Sequence, residues 1–152
     1  MEIKVIAIQI DQPEWATIRK IRYEVFVLEQ KVDEEEEYDE FEETSHHFLA
    51  LADEKPVGTA RWRKTDKGFK LERFAVLKEY RGLHVGDKIL RKILAEVIPK
   101  AAASFQAIYL HAQTQAVSFY AKHGFETYGP VFEEANIEHR AMRWANLATD
   151  LS

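Results

Sequence analysis

Alternating apolar and polar positions predict a series of strands along most of the chain. The first candidate, KVIAIQI at 4–10, is short, rich in β-branched residues and followed by Asp11-Gln12-Pro13, which is typical of a strand that ends in a turn. The other predicted strands lie at 46–52, 57–65, 69–76, 107–112, 125–128 and 138–144. Asp66-Lys67-Gly68 separates two of these segments and predicts a tight hairpin.

Apolar residues at helical spacing predict helices between some of the strands. The first occupies 14–28 and the second 86–98, where we expect Pro99 to end it. A short third helix is predicted at 115–122, with His123-Gly124 as its C-cap. Helices and strands in this order predict a mixed α/β (α+β) sheet in a single domain.

Composition places the chain among folded globular proteins. It has 152 residues, of which 46% are apolar, and this is enough to bury a core. No apolar run approaches the ~18 residues that a membrane span needs, and the start of the chain is not typical of a signal peptide. Because cysteine is absent, disulfides and thiolate chemistry are excluded. The lack of cysteine fits a cytoplasmic protein, and we expect no membrane partner. We also expect no nucleic-acid partner, because no dense basic run or arginine stripe is present.

The acidic residues are concentrated in one segment. The net charge is −5, and residues 33–43, DEEEEYDEFEE, hold nine of the 26 carboxylates. The rest of the chain then has 17 acids against 21 bases, so it is slightly basic. A run of this kind predicts a solvated loop or short turn that keeps the protein soluble. The alternative is an electrostatic surface that attracts cations.

Two glycines mark the passage from the fourth strand to the next helix. The segment reads LERFAVLKEYRGLHVGDKIL, with Gly82 and Gly86 four residues apart. Unpaired amides at a helix start bind anions, glycine lets a phosphate approach closely, and Arg81 adds a cationic fork. The pattern is neither a P-loop, because Asp87 follows Gly86, nor a three-glycine Rossmann turn. The competing interpretation is a tight turn with close helix packing.

The stretch Arg81-Gly82-Leu83-His84-Val85-Gly86 resembles the acetyl-CoA loop of the GCN5-related N-acetyltransferase (GNAT) family, whose pattern is (Q/R)-x-x-G-x-(G/A). It departs from the pattern at His84, where the family usually has glycine. The resemblance implies that loop residues hold the CoA pyrophosphate, namely Arg81, Gly82, Leu83, His84, Val85, Gly86 and Asp87. It also implies that the end of the preceding strand, Phe74, Ala75 and Val76, presents main chain to the pantetheine.

A second segment, LHAQTQAVSFYAKHGF at 110–125, resembles the later signature of the same family. Ala116, Tyr120, Gly124 and Phe125 have the family's spacing, and Gln113 takes the place of the usual asparagine. The resemblance adds Gln113 and Phe119 to the coenzyme contacts. IRYEVFVLEQ at 21–30 is similar to the first helix of a bacterial subgroup of small acetyltransferases. The implied fold has a mostly antiparallel sheet of six to seven strands, about four helices, and fourth and fifth strands that splay apart.

The implied reaction transfers an acetyl group from acetyl-CoA to a primary amine of a small molecule. The resemblance assigns Tyr120 as the general acid near the CoA sulfur. Glu72 is the leading candidate for the base, and the alternative is that it pairs with Arg61 or Arg73 and only orients substrate. His111 is either a packed strand residue or a second base or substrate contact.

The acceptor contacts are the least determined part of this hypothesis. Arg22, Glu29 and His111 are the candidates. Acidic residues at 33–43 favour a cationic amine, whereas Arg22, Arg61, Arg63 and Arg73 favour an acceptor with phosphate or carboxylate. His46 and His47 point to opposite faces of a strand, so we expect no metal.

Two alternatives concern function and assembly. A non-catalytic acyl-CoA-binding or sensory module, with the acidic segment as a protein-docking surface, is the competing function. The alternative to a monomer is a homodimer that covers Trp144 on the terminal strand.

Overall fold

The computed structural model describes residues 1–145 and contains seven strands and four α-helices in that range. The strands are β1 Ile3–Ile8, β2 His46–Ala52, β3 Lys55–Thr65, β4 Gly68–Val76, β5 Ala107–Gln113, β6 Phe125–Glu134 and β7 Ile137–Trp144. The α-helices are α1 Glu14–Arg22, α2 Glu34–Glu37, α3 Val85–Ser104 and α4 Val117–Ala121. A π-helical segment, Tyr23–Glu29, follows α1, and 3-10 turns occupy Lys78–Tyr80 and Thr114–Ala116. No helix of the described residues is long and apolar enough to cross a membrane.

The strands form one mixed sheet in the order β1-β2-β3-β4-β5-β7-β6. The pairs β1–β2, β2–β3, β5–β7 and β6–β7 are antiparallel, whereas β4 and β5 are parallel neighbours. Their register joins 68–71 to 107–110, although β4 continues to Val76 and β5 to Gln113. The predicted mixed α/β fold, with six to seven mostly antiparallel strands and about four helices, is confirmed.

The chain divides into two compact units, which are described separately. The first consists of Met1–Arg63 and Arg73–Leu94, and the second of Lys64–Glu72 with the described residues from Ala95 onward. The first unit has an apolar core formed by Ile8, Ile18, Ile21, Val25, Phe26, Leu49 and Ala75. In the second unit the most deeply buried side chains include Ile108, Leu110, Phe125 and Met142. The expectation of a single domain stays a prediction.

The hairpin predicted at Asp66-Lys67-Gly68 is present, since β3 ends at Thr65 and β4 begins at Gly68. Gly68 has φ +138°, and a Cβ there would lie 2.2 Å from the carbonyl oxygen of Ala107. Only glycine therefore allows β5 to approach the start of β4 so closely.

The first predicted helix changes its hydrogen bonding halfway along. Residues 23–29 continue α1 as a π-helix, and Gln30 N donates to Val25 O over 3.0 Å at its end. Val25 and Phe26 remain buried in this wider turn. The sequence indicated the helix and its buried face, but apolar spacing does not distinguish the two helix types over so short a segment.

The prediction that Pro99 ends the second long helix is wrong. Helix α3 continues to Ser104 with Pro99 inside it. Val97 and Ala101, on either side of the proline, are both fully buried, and this packing offsets the missing amide hydrogen bond. The helix ends instead at Ser104, because the next residue, Phe105, has φ +55°, and Gln106 N donates to Ala101 O over 3.1 Å.

The last two strands differ from their predicted extents. β6 continues to Glu134 rather than ending at Tyr128, with a register shift between Tyr128 and Phe132. β7 lies between β5 and β6, so Trp144 belongs to an inner strand and β6 forms the edge of the sheet. The indole nitrogen of Trp144 donates to the carbonyl oxygen of His123 over 3.1 Å. A homodimer therefore stays a prediction without support from a sheet edge at Trp144.

Candidate active site

The first unit holds the glycine turn between β4 and α3. Leu77 N donates to Val57 O over 2.9 Å as β4 ends, and the first bond of the helix runs from Lys88 N to His84 O over 3.1 Å. The amides that precede Lys88 in α3 have no acceptor within the helix. The turn residues 81–84 that precede these amides are exposed, whereas Val85 is buried and Gly86 and Asp87 are half-buried.

Left-handed backbone at two positions shapes this turn. Gly82 has φ +78°, and a Cβ there would meet nothing within 4 Å. His84 has φ +69°, a conformation that glycine adopts freely and that an L-residue adopts at a cost of about 1–2 kcal/mol. The departure from the family pattern at His84 therefore does not change the direction of the backbone.

The start of α3 packs closely against β3. A Cβ on Gly58 would lie 3.0 Å from Val85, 3.1 Å from Ile89 and 3.2 Å from the carbonyl oxygen of Ala75. Val85 and Ile89 are fully buried there. Close packing at a glycine was one interpretation of this region, and the structure shows it at Gly58, outside the loop. Inside the loop, Asp87 bonds Arg91 one helical turn later, with the Nε–Oδ2 distance at 3.1 Å.

Arg81 does not stand beside the loop as an unpaired cationic fork. Its Nη1 and Nη2 atoms each donate to a carboxylate oxygen of Glu29 over 2.5 Å, and its Nε donates to Val76 O over 2.9 Å. The hydrogen bonds from Arg81 lower the pKa of Glu29, and Glu29 in turn raises the pKa of Arg81. The pair ties the end of the π-helical segment to the end of β4, so it sets the position of the loop. Glu29 was predicted to contact the acceptor, but in the structure its carboxylate accepts hydrogen bonds from Arg81.

A shallow cleft of about 280 Å³ lies beside this pair. It is lined by Glu24, Val25, Leu28, Glu29, Leu77, Lys78 and Glu79.

The acidic segment is partly an internal structure. Glu37 and Glu42 are 8% and 2% exposed, and Asp39 is half-buried. These three carboxylates meet three arginines in what we term the buried ion-pair network, consisting of Arg22, Glu37, Asp39, Glu42, Arg61 and Arg73. The other six carboxylates of the segment remain exposed. The prediction of a solvated loop is therefore wrong for Glu37, Asp39 and Glu42.

Arg22 is completely enclosed by this network. Its Nη1 and Nη2 atoms donate to the two oxygens of Glu42 over 2.9 and 2.8 Å, and Nη2 also donates to Glu37 O over 2.8 Å. Its Nε donates to the carboxylate of Glu37. Burial by itself would lower the pKa of Arg22, but the bonds and charges of Glu42 and Glu37 raise it. The prediction that Arg22 contacts an acceptor is corrected, because its donors are occupied and it is 1% exposed.

Arg61 and Arg73 complete the network. Arg61 donates to both oxygens of Asp39 over 3.0 and 2.7 Å, and to Glu42 over 2.9 Å. Arg73 donates to Asp39 over 3.2 Å and to the carbonyl oxygen of Glu37 over 3.2 Å. Three guanidinium groups thus face three carboxylates, and their charges balance. The network therefore supports neither of the two charge-based expectations. Its carboxylates are not available to attract a cationic amine, and its arginines are not available to bind a phosphate or carboxylate.

His47 packs beside the network rather than forming a metal site. Its Nε2 donates to the carbonyl oxygen of Glu42 over 2.8 Å, and its ring lies 4.5 Å from that of Trp15. Burial lowers the pKa of His47. His46 instead stacks on Trp62 at 4.0 Å. Among the described residues, no group of His, Cys, Asp and Glu could hold a metal ion.

In the second unit, one face of the sheet is polar where β4 and β5 stop pairing. The register aligns Lys70 with Tyr109 and ends at Leu71 and Leu110. Because side chains alternate along strands, Lys70, Glu72, Tyr109 and His111 share one face, which we call the polar face. Glu72 and His111 are the first residues of the two strands beyond the last pair.

Glu72 has a lysine neighbour on this face. Its Oε2 atom lies 3.5 Å from Lys70 Nζ, and its side chain is 9% exposed. Glu72 was expected among apolar neighbours, but one of its neighbours is the charged ammonium of Lys70. The expected alternation also fails just beyond it, because Arg73 has φ +60° and interrupts the extended backbone before Phe74 and Val76.

His111 meets a carboxylate that the sequence analysis did not identify. Its Nδ1 atom lies 3.0 Å from Oε1 of Glu134, at the end of β6. The hydrogen bond with His111 lowers the pKa of Glu134, although burial opposes the shift. His139 lies on the other side of this carboxylate, with Nε2 4.0 Å from Oε2. The sequence signal near Glu134 was weak, because residues 130–134 read PVFEE and do not alternate between apolar and polar positions.

Tyr120 lies in α4 and is 7% exposed. Its ring packs at an edge against Phe119 at 5.0 Å and against Phe125 at 6.1 Å. Burial raises the pKa of Tyr120 above its usual range, so the phenol stays protonated at neutral pH. Gln113 precedes this helix, and its Oε1 accepts a hydrogen bond from Gln115 over 2.5 Å.

Three features together are typical of one class of protein, the acyltransferases that use a coenzyme A thioester. They are a mixed sheet with parallel fourth and fifth strands, a glycine turn into a long helix, and a buried tyrosine after the fifth strand. Residues 13–146 match the family described as acetyltransferase (GNAT) domain. The chain therefore belongs to the GNAT acetyltransferase family.

Individual relatives agree with this assignment. An uncharacterized N-acetyltransferase of Bacillus subtilis, YjcF, is 45% identical over 123 residues, which is 80% of this chain and 86% of YjcF. The uncharacterized protein YyaT of the same organism is 40% identical over 146 residues, which is 93% of this chain and 94% of YyaT. The crystal structure of Escherichia coli ElaA has a TM-score of 0.81 at 25% identity, over 93% of this chain and 99% of ElaA. A GNAT acetyltransferase from Elizabethkingia anophelis, solved with acetyl-CoA bound, shares the fold with a TM-score of 0.61 at 18% identity, over 93% of this chain and 94% of its own.

Proposed function

We propose that this protein is an acetyl-CoA-dependent N-acetyltransferase that moves the acetyl group directly to a primary amine of a small molecule. The observation that carries this proposal is the turn between β4 and α3. There, left-handed Gly82 and His84 lead from an exposed turn into the first amides of a 20-residue helix. Such a turn supplies the donors and the dipole that a diphosphate requires.

Coenzyme binding divides among three groups of residues in this proposal. The loop amides from Gly82 to Asp87 hold the pyrophosphate, and Arg81 acts by fixing the loop through Glu29 rather than by contacting phosphate. The end of β4, at Phe74, Ala75 and Val76, presents main chain to the pantetheine, while Gln113 and Phe119 line its path. The solved GNAT structure that contains acetyl-CoA supports this choice of donor.

The transfer itself needs an acid and a base. Tyr120 is the acid, since a buried and protonated phenol can donate to the departing thiolate. The base is one of the two side chains at the end of the β4–β5 pairing, Glu72 or His111. Lys70 neutralises Glu72, so Glu134 beside His111 is the carboxylate that favours an amine arriving as an ammonium ion.

The test combines calorimetry with a panel of amines. Acetyl-CoA should release heat on binding, and CoA should be released in the presence of a suitable amine. We expect Tyr120→Phe to bind acetyl-CoA normally and to lose about 10²–10⁴ in kcat, the usual contribution of a positioned acid. Tyr128→Phe, which changes a tyrosine at the exposed edge strand, is the matched control and should keep wild-type turnover.

Each failure has a separate meaning. Absence of any heat with acetyl-CoA would refute the proposal as a whole. Binding without turnover on every amine would favour the competing non-catalytic acyl-CoA module. Unchanged kcat in Tyr120→Phe would remove only the role of Tyr120.

A further inference from the structure

The hydrogen-bond partner of His111 determines the tautomer of its ring. Its Nδ1 atom lies 3.0 Å from a carboxylate oxygen of Glu134, and a carboxylate can only accept a hydrogen bond. Nδ1 must therefore carry the proton. In the neutral ring Nε2 then holds the lone pair, and within residues 1–145 it has no hydrogen-bond partner. His111 thus presents a proton acceptor whose orientation is set from behind.

The neighbouring imidazole is fixed in another way. His139 Nδ1 donates to the carbonyl oxygen of Ile137 over 2.6 Å, and the residue is 7% exposed. Its Nε2 atom, at 4.0 Å from Glu134, is too distant for a hydrogen bond. Phe132 stacks on His139 at 5.9 Å and meets the edge of the His111 ring at 5.0 Å. His139 and Phe132 therefore hold the His111–Glu134 pair in place, and only His111 combines an open nitrogen with partial exposure.

The two candidate bases differ in what already neutralises them. Glu72 lies 3.5 Å from the ammonium of Lys70, with its side chain 9% exposed. His111 has a side chain that is 26% exposed, which leaves a route for a proton to reach solvent. Both residues directly follow the last β4–β5 pair. The geometry therefore favours His111 over Glu72 as the proton acceptor.

We propose that Glu134 is a positioning residue that holds His111 as the general base of acyl transfer. The inference rests on the proposed function and names the proton acceptor of that reaction. The ammonium of the acceptor gives a proton to His111 Nε2, which passes it to solvent. The amine nitrogen forms a bond to the thioester carbon, and the C–S bond breaks. Tyr120 protonates the departing sulfur and recovers a proton from the newly acylated nitrogen, so that one proton is released in total.

The charged groups around His111 come from three other strands. Glu134 belongs to β6 and His139 to β7, while Lys70 and Glu72 belong to β4. Tyr109, on the same strand as His111, has its ring centre 6.3 Å away and its hydroxyl 2.6 Å from that of Thr65. Any change in pH response must therefore be compared with a variant of Glu72 as well as of Glu134.

The experiment reads the tautomer and the rate in the same variants. In full-length protein labelled with ¹⁵N-histidine, long-range nitrogen–proton spectra should show His111 with its proton on Nδ1, and the His111→Gln spectrum assigns the signal. Glu134→Ala should shift the population towards the Nε2–H form and lower kcat/KM by about tenfold or more, which is within the range for a positioned base. Glu134→Gln, whose carbonyl oxygen can still accept from Nδ1, should restore much of both. Glu133→Ala, a change of the adjacent exposed glutamate, should match wild type.

The pH profile distinguishes the two bases. The acid limb of kcat/KM should keep its wild-type midpoint in Glu72→Gln, whereas in His111→Gln only the pH dependence set by ionisation of the acceptor ammonium should remain. An unaltered tautomer and rate in Glu134→Ala would overturn the inference, and so would an acid limb in His111→Gln that is unchanged from wild type. No turnover on any amine would refute the proposed function itself, and with it the assignment of a base.

Discussion

Carboxylates meet cationic or titratable side chains in two regions of this molecule, with opposite outcomes. In the buried ion-pair network, Arg22 is 1% exposed and all its nitrogens donate within the protein. In the second unit, the side chains of His111 and Glu134 are 26% and 46% exposed, and His111 presents an open Nε2. Residue type therefore does not separate charged groups with a structural role from those available for chemistry. What separates them is whether any donor or acceptor remains available to another molecule.

The network also shows why part of the acidic segment is neither a solvated loop nor a surface that attracts cations. Its inner carboxylates neutralise three arginines that come from α1, β3 and β4. Such pairs contribute little net stability compared with apolar packing, but the loss of one partner leaves a buried charge without compensation. If the comparison is right, variants of the network should change stability, and variants of the His111 cluster should change rate.

The largest effect is expected for Glu42→Gln. Glu42 is 2% exposed and accepts from both Arg22 and Arg61, so its neutralisation leaves two buried guanidinium groups with too little negative charge. We expect the free energy of unfolding to fall by about 3–5 kcal/mol, measured by chemical denaturation. Glu43→Gln, at the adjacent exposed position, should change it by less than about 0.5 kcal/mol. A loss below about 1 kcal/mol in Glu42→Gln would show that the network is not the structural element described here.

A smaller effect is expected from acid acting on Asp39. Burial alone would raise the pKa of Asp39, but the hydrogen bonds and charge of Arg61, with Phe41 N and Arg73, lower it to about 2. An unfolded aspartate titrates near pH 4. Because the folded pKa is lowered, the stabilisation is complete above about pH 4 and is lost as the pH falls through about 2.

Asp39→Asn removes this contribution and serves as the comparison. The difference in unfolding free energy between wild type and Asp39→Asn should shrink by about 1–2 kcal/mol between pH 7 and pH 2, after allowance for screening of a partly exposed group. Denaturation curves at several pH values measure it. A difference that stays constant with pH would mean that the charge of Asp39 is unimportant for folding.

Sequence reasoning identified the framework better than the polar contacts. The strand at His46–Ala52 and the hairpin before Gly68 agree with the structure, because local alternation and turn residues specify them. The role of the acidic segment was missed because its partners, such as Arg22 and Arg61, are 20 and 19 residues away from Glu42. Charge runs also carry no periodicity that reveals which members are buried.

The partner of His111 was missed for a related reason. Glu134 lies 23 residues from His111 along the chain, and the predicted strand at 125–128 ended before it. The register shift between Tyr128 and Phe132 brings Glu134 into place, and Gly129 with Pro130 resembled the end of a strand. Long-range pairing of this kind depends on the sheet order, which a single sequence specifies only through its family resemblance.

The smallest effect on stability is expected in Glu134→Ala, the variant that should reduce catalysis. The His111–Glu134 pair is partly exposed, and pairs of this kind contribute about 0.2–1 kcal/mol to folding. We therefore expect its free energy of unfolding to remain within about 1 kcal/mol of wild type, measured at the pH of the rate assays. Glu42→Gln should show the reverse pattern, with a large loss of stability and a near-normal kcat in the fraction that stays folded. A loss of several kcal/mol in Glu134→Ala would mean that this cluster, like the network, is structural, and its effect on rate would then have to be attributed to unfolding.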